Sequence, residues 1–299
     1  MKLLNKIILK SERLIHPKIK ELIAKSLVYF FTIKEIKEFS QDKYKNFNHL
    51  LDKYTDFITI GHRGFSGEYP ENTLLSFQKA MEQKVNMIEL DITITKDGEI
   101  VVFHDVTLLR LAGINKHIRD LTFNELNTID IGSWFKKEYS GLKIPKLSEV
   151  FEILDNKTLI NIEIKHEASS FVNRDLEKKV INLIREYNME KRVVISAFNP
   201  MIVNRIRKLA PDISTAYLIT QTMTPILIWL LAKINAKYIN IDFNYLNSNN
   251  VKKIKRKGLK IIPYTLNSEN EFKKAFDYKL DGAFTDYPNK LISFLSYKN

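Results

Sequence analysis

The run Met87-Ile88-Glu89-Leu90-Asp91-Ile92-Thr93-Ile94 is followed by Thr95-Lys96-Asp97-Gly98-Glu99 and then by Ile100-Val101-Val102-Phe103. The first run is apolar and β-branched enough to be a strand in a covered sheet. Side chains alternate along a strand, so Glu89 and Asp91, two apart, point to one face. The five residues between Ile94 and Ile100 are too few for a crossover helix. Asp97-Gly98 is a turn signal, so the chain reverses there.

Outward from this point the same alternation repeats. Strand-like runs are expected at Phe57–Ile60, Met87–Ile94, Ile100–Phe103, Leu159–Ile164, Val193–Ser196, Thr215–Ile219, Tyr238–Asp242, Lys260–Tyr264 and Gly282–Thr285. Helical patterns fall between many of them, at Thr73–Gln83, Leu147–Leu154, Val172–Tyr187, Pro200–Leu209, Ser248–Lys257 and Glu269–Phe276. Apolar strands alternating with helices make a parallel sheet covered by helices. Their number over residues 56–299 matches an α/β fold of the (β/α)8 barrel type, with an open doubly wound sheet as the alternative. Nine runs exceed eight, so one lies outside the barrel or is not a strand. Residues 106–146 carry no strand pattern and read as a small insertion after the third strand, partly helical over Phe123–Thr128.

The 299-residue chain, 44% hydrophobic and 27% charged, has room for a full core. It has no cysteine, which excludes disulfides, thiolate metal sites and cysteine nucleophiles. Of its +12 net charge, residues 1–55 contribute half, with twelve Lys or Arg against six Asp or Glu. Leu3, Leu4, Ile7, Ile8, Leu14 and Ile15, then Ile19, Leu22, Ile23, Leu27, Phe30, Phe31 and Ile33, recur at helical spacing. Residues 1–55 are therefore read as a basic amphipathic helical extension. Residues 1–40 would rest on an anionic membrane surface, or else pack on the protein or a second copy. No apolar stretch approaches a spanning length of about 20 residues, and no cleaved leader is expected. The expected location is cytoplasmic, peripheral on the membrane. The basic run Lys252-Lys253-Ile254-Lys255-Arg256-Lys257 reads as a solvated surface, and no nucleic-acid-binding motif accompanies it. The apolar stretch Pro225–Leu231, with Trp229, reads as a buried barrel helix or a membrane-contacting lip.

Carboxylates on the inner face of an apolar strand are costly unless neutralised. Glu163, in Ile162-Glu163-Ile164-Lys165, repeats the Glu89/Asp91 pattern in another strand, with Lys165 on the same face. A divalent cation held by oxygen ligands, Mg²⁺ or Ca²⁺, is one solution; a buried salt-bridge cluster is the other. His62 ends the first strand and His104 the third, at the strand ends where catalytic groups of barrels collect. Together with Arg63 they suit cleavage of a phosphodiester. Arg63, Lys165 and a metal would stabilise the added negative charge, and two imidazoles would move the protons. His16, His49, His117 and His166 have no such partners and read as surface or structural residues.

Gly61-His62-Arg63-Gly64, followed by Pro70-Glu71-Asn72-Thr73-Leu74 and Phe77, resembles the opening motif of glycerophosphodiester phosphodiesterases. Ile88-Glu89-Leu90-Asp91, Thr95-Lys96-Asp97-Gly98 and His104-Asp105 continue it in the same order. Leu121-Thr122, Ile144-Pro145-Lys146-Leu147, Ile162-Glu163-Ile164-Lys165, Ser196-Ala197-Phe198 and Thr285-Asp286-Tyr287-Pro288 extend it to roughly residues 58–289. The resemblance implies a TIM barrel whose divalent metal is held by Glu89, Asp91 and Glu163. It also implies His62 and His104 as the acid/base pair, Arg63 and Lys165 at the phosphate, and Glu71 and Asn72 in support. The implied reaction releases sn-glycerol 3-phosphate and an alcohol from glycerophosphodiesters. Related activities are a membrane-associated lysophospholipase D, which takes lysophospholipids, and a barrel that binds phospholipid without turnover. Two departures bear on substrate choice. Tyr264-Thr265-Leu266-Asn267 stands where relatives often show Trp-Thr-Val-Asn, so Tyr264 forms the aromatic wall, and Leu109-Arg110-Leu111 lacks the usual threonines after the arginine.

Overall fold

The computed structural model describes residues 38, 50–54, 56–165 and 175–297. Most of the extension expected over residues 1–55 lies outside these, as do the membrane contact assigned to residues 1–40 and His16, His49 and His166. The strands are β1 (Ile58–Gly61), β2 (Met87–Ile94), β3 (Ile100–Val102), β4 (Leu159–Ile164), β5 (Val193–Ala197), β6 (Ser214–Ile219), β7 (Tyr238–Asp242), β8 (Lys260–Tyr264) and β9 (Gly282–Thr285). The helices are α1 (Leu74–Glu82), α2 (Leu109–Ala112), α3 (Phe123–Leu126), α4 (Leu147–Ile153), α5 (Asp175–Glu186), α6 (Pro200–Leu209), α7 (Pro225–Lys233), α8 (Ser248–Lys255), α9 (Glu269–Asp277) and α10 (Pro288–Ser296).

Eight strands run in the order β8-β7-β6-β5-β4-β2-β1-β9. Every neighbouring pair along this path is parallel. The ends approach closure through Asp281 N–H to Ile261 O (3.0 Å) and Leu266 N–H to Phe284 O (2.9 Å). The ninth run is β3, which pairs antiparallel with β2 outside the path. The turn that sends it back is tied by Gly98 N–H to Thr95 O (3.1 Å), with Gly98 at φ +86°. The expected α/β barrel is therefore the fold, and the open doubly wound sheet is not.

Strand parity sets two environments. Ile88, Leu90 and Ile92, with Ile160, Ile162 and Ile164, face outward into the core shared with the helices. Ile58, Ile60, Met87, Leu159, Val194, Ala216, Tyr238, Ile262 and Phe284 face inward and fill the base of the barrel. Leu50 and Leu51, in a short 3₁₀ turn, join that cluster. They are fixed by Leu50 N–H to Ser214 Oγ (3.2 Å), Leu51 N–H to the Tyr238 hydroxyl (3.1 Å) and Lys260 Nζ to Leu51 O (2.7 Å). Burying each leucine contributes roughly 1.5–3 kcal/mol. Residues that the sequence reading left to the extension thus seal the barrel floor. Further along the same inward faces the side chains turn polar: Glu89, Asp91, Asn161, Glu163, Ser196 and Asn240 are all buried.

Between β3 and α4 the chain forms a satellite with its own core of Leu108, Leu111, Ile118, Leu121, Leu126, Ile131 and Ile144 against Val101 and Phe103. Its helix α3 is opened by a capping box between Thr122 and Glu125. Pro225–Lys233 is a helix, and Leu227, Ile228, Leu230 and Leu231 are buried. Trp229 and Ile226, however, remain 48% and 62% exposed. The basic run keeps Lys252, Lys253, Arg256 and Lys257 in solvent. Among the described residues, no helix is long and apolar enough to cross a membrane.

Candidate active site

The chain leaves β1 through Gly61-His62-Arg63-Gly64, and this turn places three groups at once. Arg63 adopts φ +53° and Asn72 φ +56°, a region L side chains rarely occupy. The two are stitched by Asn72 N–H to Arg63 O (3.1 Å), with the Ser76 hydroxyl donating to the same carbonyl (2.9 Å). Gly64, at φ +87°, lies so close that a Cβ there would stand 2.3 Å from Ser76 Oγ. The motif is thus a backbone requirement as well as a chemical one.

Beneath the turn, oxygens of Glu89, Asp91 and Glu163 lie within 4.8 Å of one another, all three residues buried. Parallel pairing sets Asp91 opposite Glu163. Asp91 accepts from Asn72 Nδ2 (2.8 Å) and lies 2.7 Å from Lys165 Nζ and 3.2 Å from Arg63 Nε. Glu89 accepts the Arg63 backbone N–H (2.9 Å). Lys165 Nζ is also 2.6 Å from Glu163 Oε1, so one ammonium is shared between two carboxylates. Although burial opposes it, Lys165 and Arg63 hold the Asp91 carboxyl below the usual range. Burial, then the Asp91 charge, pushes Glu89 and Glu163 well above it. Two protein cations do not balance three crowded carboxylates. A hard divalent cation fits that deficit and the oxygen-only donor set, whose atoms lie within 4.8 Å of one another.

Each histidine is held by an aspartate. His62 Nδ1 lies 2.6 Å from Asp286 Oδ1, and His104 Nδ1 lies 2.6 Å from Asp105 Oδ1. A carboxylate only accepts, so Nδ1 carries hydrogen and Nε2 is left for chemistry in both rings. Asp286 is itself fixed by Asn267 Nδ2 (2.6 Å) and Ser66 Oγ (2.9 Å). The imidazoles differ in tendency. Burial disfavours charge on His62, but the Asp286 hydrogen bond and Glu89 raise its pKa overall. Burial lowers that of His104, where Arg63 and Lys165 offset the nearby acids.

Glu71 accepts Arg63 Nη1 (2.8 Å) and is gripped on both oxygens by Arg110, at 2.7 and 2.9 Å. Arg110 Nε also donates to Asp105 (2.6 Å). His62, Arg63, Glu71, Asn72, Glu89, Asp91, His104, Glu163 and Lys165 are therefore gathered at one end of the barrel. Tyr264, the last residue of β8, is half-buried. Its hydroxyl donates to Ile219 O (2.9 Å), and its ring meets Phe198 and Phe284 edge-on. Sequence reasoning quoted Asp105, Asp286, Asn267 and Arg110 within motifs but gave them no role. The available signals were that Asp105 directly follows His104 and that Asp286 directly follows a strand end.

A surface groove between α9 and α10, lined by Phe272, Asn289, Lys290 and Phe294, holds none of these groups. The model of the glycerophosphoryl diester phosphodiesterase family matches residues 62–290. A glycerophosphodiester phosphodiesterase of Caldanaerobacter subterraneus subsp. tengcongensis is 34% identical over 240 residues, covering 80% of this chain and 97% of that one. A human lysophospholipase D is 32% identical over 273 residues, covering 79% of this chain and 85% of its own. A phosphodiesterase of Oleispira antarctica, solved with the product sn-glycerol-3-phosphate, superposes with a TM-score of 0.75 at 28% identity. That match covers 80% of this chain and 96% of the other.

Proposed function

The chain belongs to the glycerophosphoryl diester phosphodiesterase family and is an enzyme of that kind; from this premise we propose that it hydrolyses glycerophosphodiesters to sn-glycerol 3-phosphate and an alcohol with a bound divalent cation. The observation that carries the reading is the buried Glu89–Asp91–Glu163 cluster, with ligand atoms within 4.8 Å, accompanied by two aspartate-held histidines.

Glu89, Asp91 and Glu163 would hold Mg²⁺ or Ca²⁺, which when bound offsets negative charge on the phosphate oxygens. Arg63 and Lys165 bring further positive charge to the same oxygens. Arg63 is oriented for this by Glu71, and Lys165 by its two carboxylate neighbours. His104, whose pKa is depressed, accepts the nucleophile's proton at Nε2. His62, whose pKa is raised, gives its Nε2 proton to the departing alkoxide. The Nδ1–H bond to Asp105 leaves Nε2 of neutral His104 free to accept, and the Nδ1–H bond to Asp286 supports the imidazolium form of His62 that donates from Nε2.

A second reading keeps the chemistry and changes the substrate. Leu109 and Trp134, 54% and 40% exposed, flank Arg110 at the site's edge, and the guanidinium lies 5.9 Å from the Trp134 ring. Such a rim suits the acyl chain of a lysophospholipid. Phosphorus NMR of glycerophosphocholine and lysophosphatidylcholine digests separates the two readings. With Mg²⁺ or Ca²⁺ the first substrate should give sn-glycerol 3-phosphate and choline. Preference for the second would install the lysophospholipase D reading. Rates that survive both chelation and His62→Ala would overturn the mechanism.

A further inference from the structure

Arg110 belongs to α2, a four-residue helix of the satellite, and is 42% exposed, yet its head is almost fully engaged. Nε donates to Asp105 Oδ2 (2.6 Å) and Nη2 to Asp105 Oδ1 (3.1 Å). Nη1 donates to Glu71 Oε2 (2.9 Å) and Nη2 also to Glu71 Oε1 (2.7 Å). Four of its five N–H groups are thereby used on two carboxylates. It is not a free cation waiting at the rim for phosphate.

What those carboxylates hold is informative. Glu71 Oε1 also accepts Arg63 Nη1 (2.8 Å), and Asp105 Oδ1 also accepts His104 Nδ1 (2.6 Å). A continuous chain of charge-assisted bonds, Arg63–Glu71–Arg110–Asp105–His104, therefore joins a phosphate-side guanidinium to a proton-transferring imidazole. Its ends arise from different places, the turn after β1 and the turn after β3. Both turns are anchored on β2, by Arg63 N–H to Glu89 (2.9 Å) and Phe103 N–H to Asp91 O (2.9 Å), and the Arg110 fork adds a direct link between the Arg63 and His104 side chains. Exposed ion pairs are weak when single, but a doubly bidentate arginine is geometrically demanding. Lysine, a point charge on a flexible stem, cannot reproduce it. On the other side of the site, His62 is held without any arginine, through Asp286, Asn267 and Ser66.

We propose that Arg110 is a positioning residue that locks His104 and Arg63 into one fixed relation, so that the satellite sets the geometry of half the active site. This rests on the phosphodiesterase reading for its kinetic half and on geometry alone for the rest. The alternative is that Arg110 merely pins the satellite to the barrel.

Two measurements on the full-length protein separate these. With glycerophosphocholine, Arg110→Gln and Arg110→Lys should each lower kcat about 10- to 100-fold and raise KM. In a His104→Ala background, the kcat cost of Arg110→Gln should shrink to the part carried through Arg63, while KM still rises. An undiminished kcat effect in that background overturns the proposal. The second readout needs no turnover: low-field ¹⁵N–¹H resonances of the two imidazole Nδ1–H groups. Arg110→Gln should broaden or remove the His104 signal and spare that of His62. Both signals retained, or both lost, overturns the proposal. If the wild type turns over no glycerophosphodiester yet only the His104 signal responds, the substrate reading fails and the brace stands. Turnover with an unresponsive His104 signal gives the reverse.

Discussion

Along β2, Met87 packs into the apolar floor of the barrel, while Glu89 and Asp91, two and four residues on, meet Glu163 in a buried knot of negative charge. β4 repeats the contrast, with Leu159 in the floor and Glu163 in the knot. The floor gains from burial alone, since Leu50, Leu51, Tyr238 and Phe284 leave water and their polar groups find partners. The knot takes carboxylates out of water and crowds them, a cost that Lys165 and Arg63 offset only in part. One set of strands thus separates stability from chemistry by height. A residue's place along the strand, more than its burial, decides what its loss should do.

The sharpest way to break that contrast is at the top. Removing an imidazole by His104→Ala or His62→Ala should lower kcat/KM about 10²- to 10⁴-fold and leave the denaturation midpoint close to wild type. A large loss of stability from either would mean that the two heights are not independent. At the floor the expectation inverts. Leu51→Ala should cost about 2–5 kcal/mol in chemical denaturation and leave kcat/KM per folded molecule unchanged.

The floor and the knot were not equally legible. Parallel strands are apolar runs, so Met87–Ile94, Leu159–Ile164, Tyr238–Asp242, Lys260–Tyr264 and Gly282–Thr285 stand out in the sequence with their observed bounds. The Asp97-Gly98 turn was visible too, but that β3 is the run outside the path emerges only from its antiparallel pairing with β2. Acids two apart on such strands were equally visible, and they are the cluster that the structure draws together. The seal was hidden because Leu50 and Leu51 sit in a basic, helical-looking stretch. The braces were hidden by distance: Asp286 is 224 residues from His62, and Arg110 reaches Glu71 across 39. Helix α10 escaped because Leu291 and Phe294 make a short stripe that its N1 proline opens without a preceding side-chain cap.

A smaller effect separates the two histidines. Asp286 raises the His62 pKa by its hydrogen bond, so Asp286→Asn should lower it. If His62 is the acid, its deprotonation sets the alkaline limb of the kcat/KM profile. That limb should then move to lower pH, by about one unit, while the acid limb from His104 stays in place. A shift of the acid limb instead would exchange the two roles.

The smallest effect concerns stability without cation. Glu163 has a pKa raised above its ordinary 4.5 by burial and by Asp91, so its ionisation opposes folding. The penalty is absent below the unfolded pKa and grows as pH rises toward the folded one. Cation-free Glu163→Gln should therefore melt a few degrees above wild type, with the gap opening as pH climbs above about 4.5. No gap at alkaline pH would remove the charge strain from the knot.

The most direct test follows turnover and melting temperature together while chelated protein is titrated with Mg²⁺ or Ca²⁺. In wild type both should rise along one binding curve, and in Glu163→Gln neither should respond at the same concentrations. Full turnover in chelator, or a cation-induced rise in melting temperature that survives Glu163→Gln, would contradict a cation held by Glu89, Asp91 and Glu163.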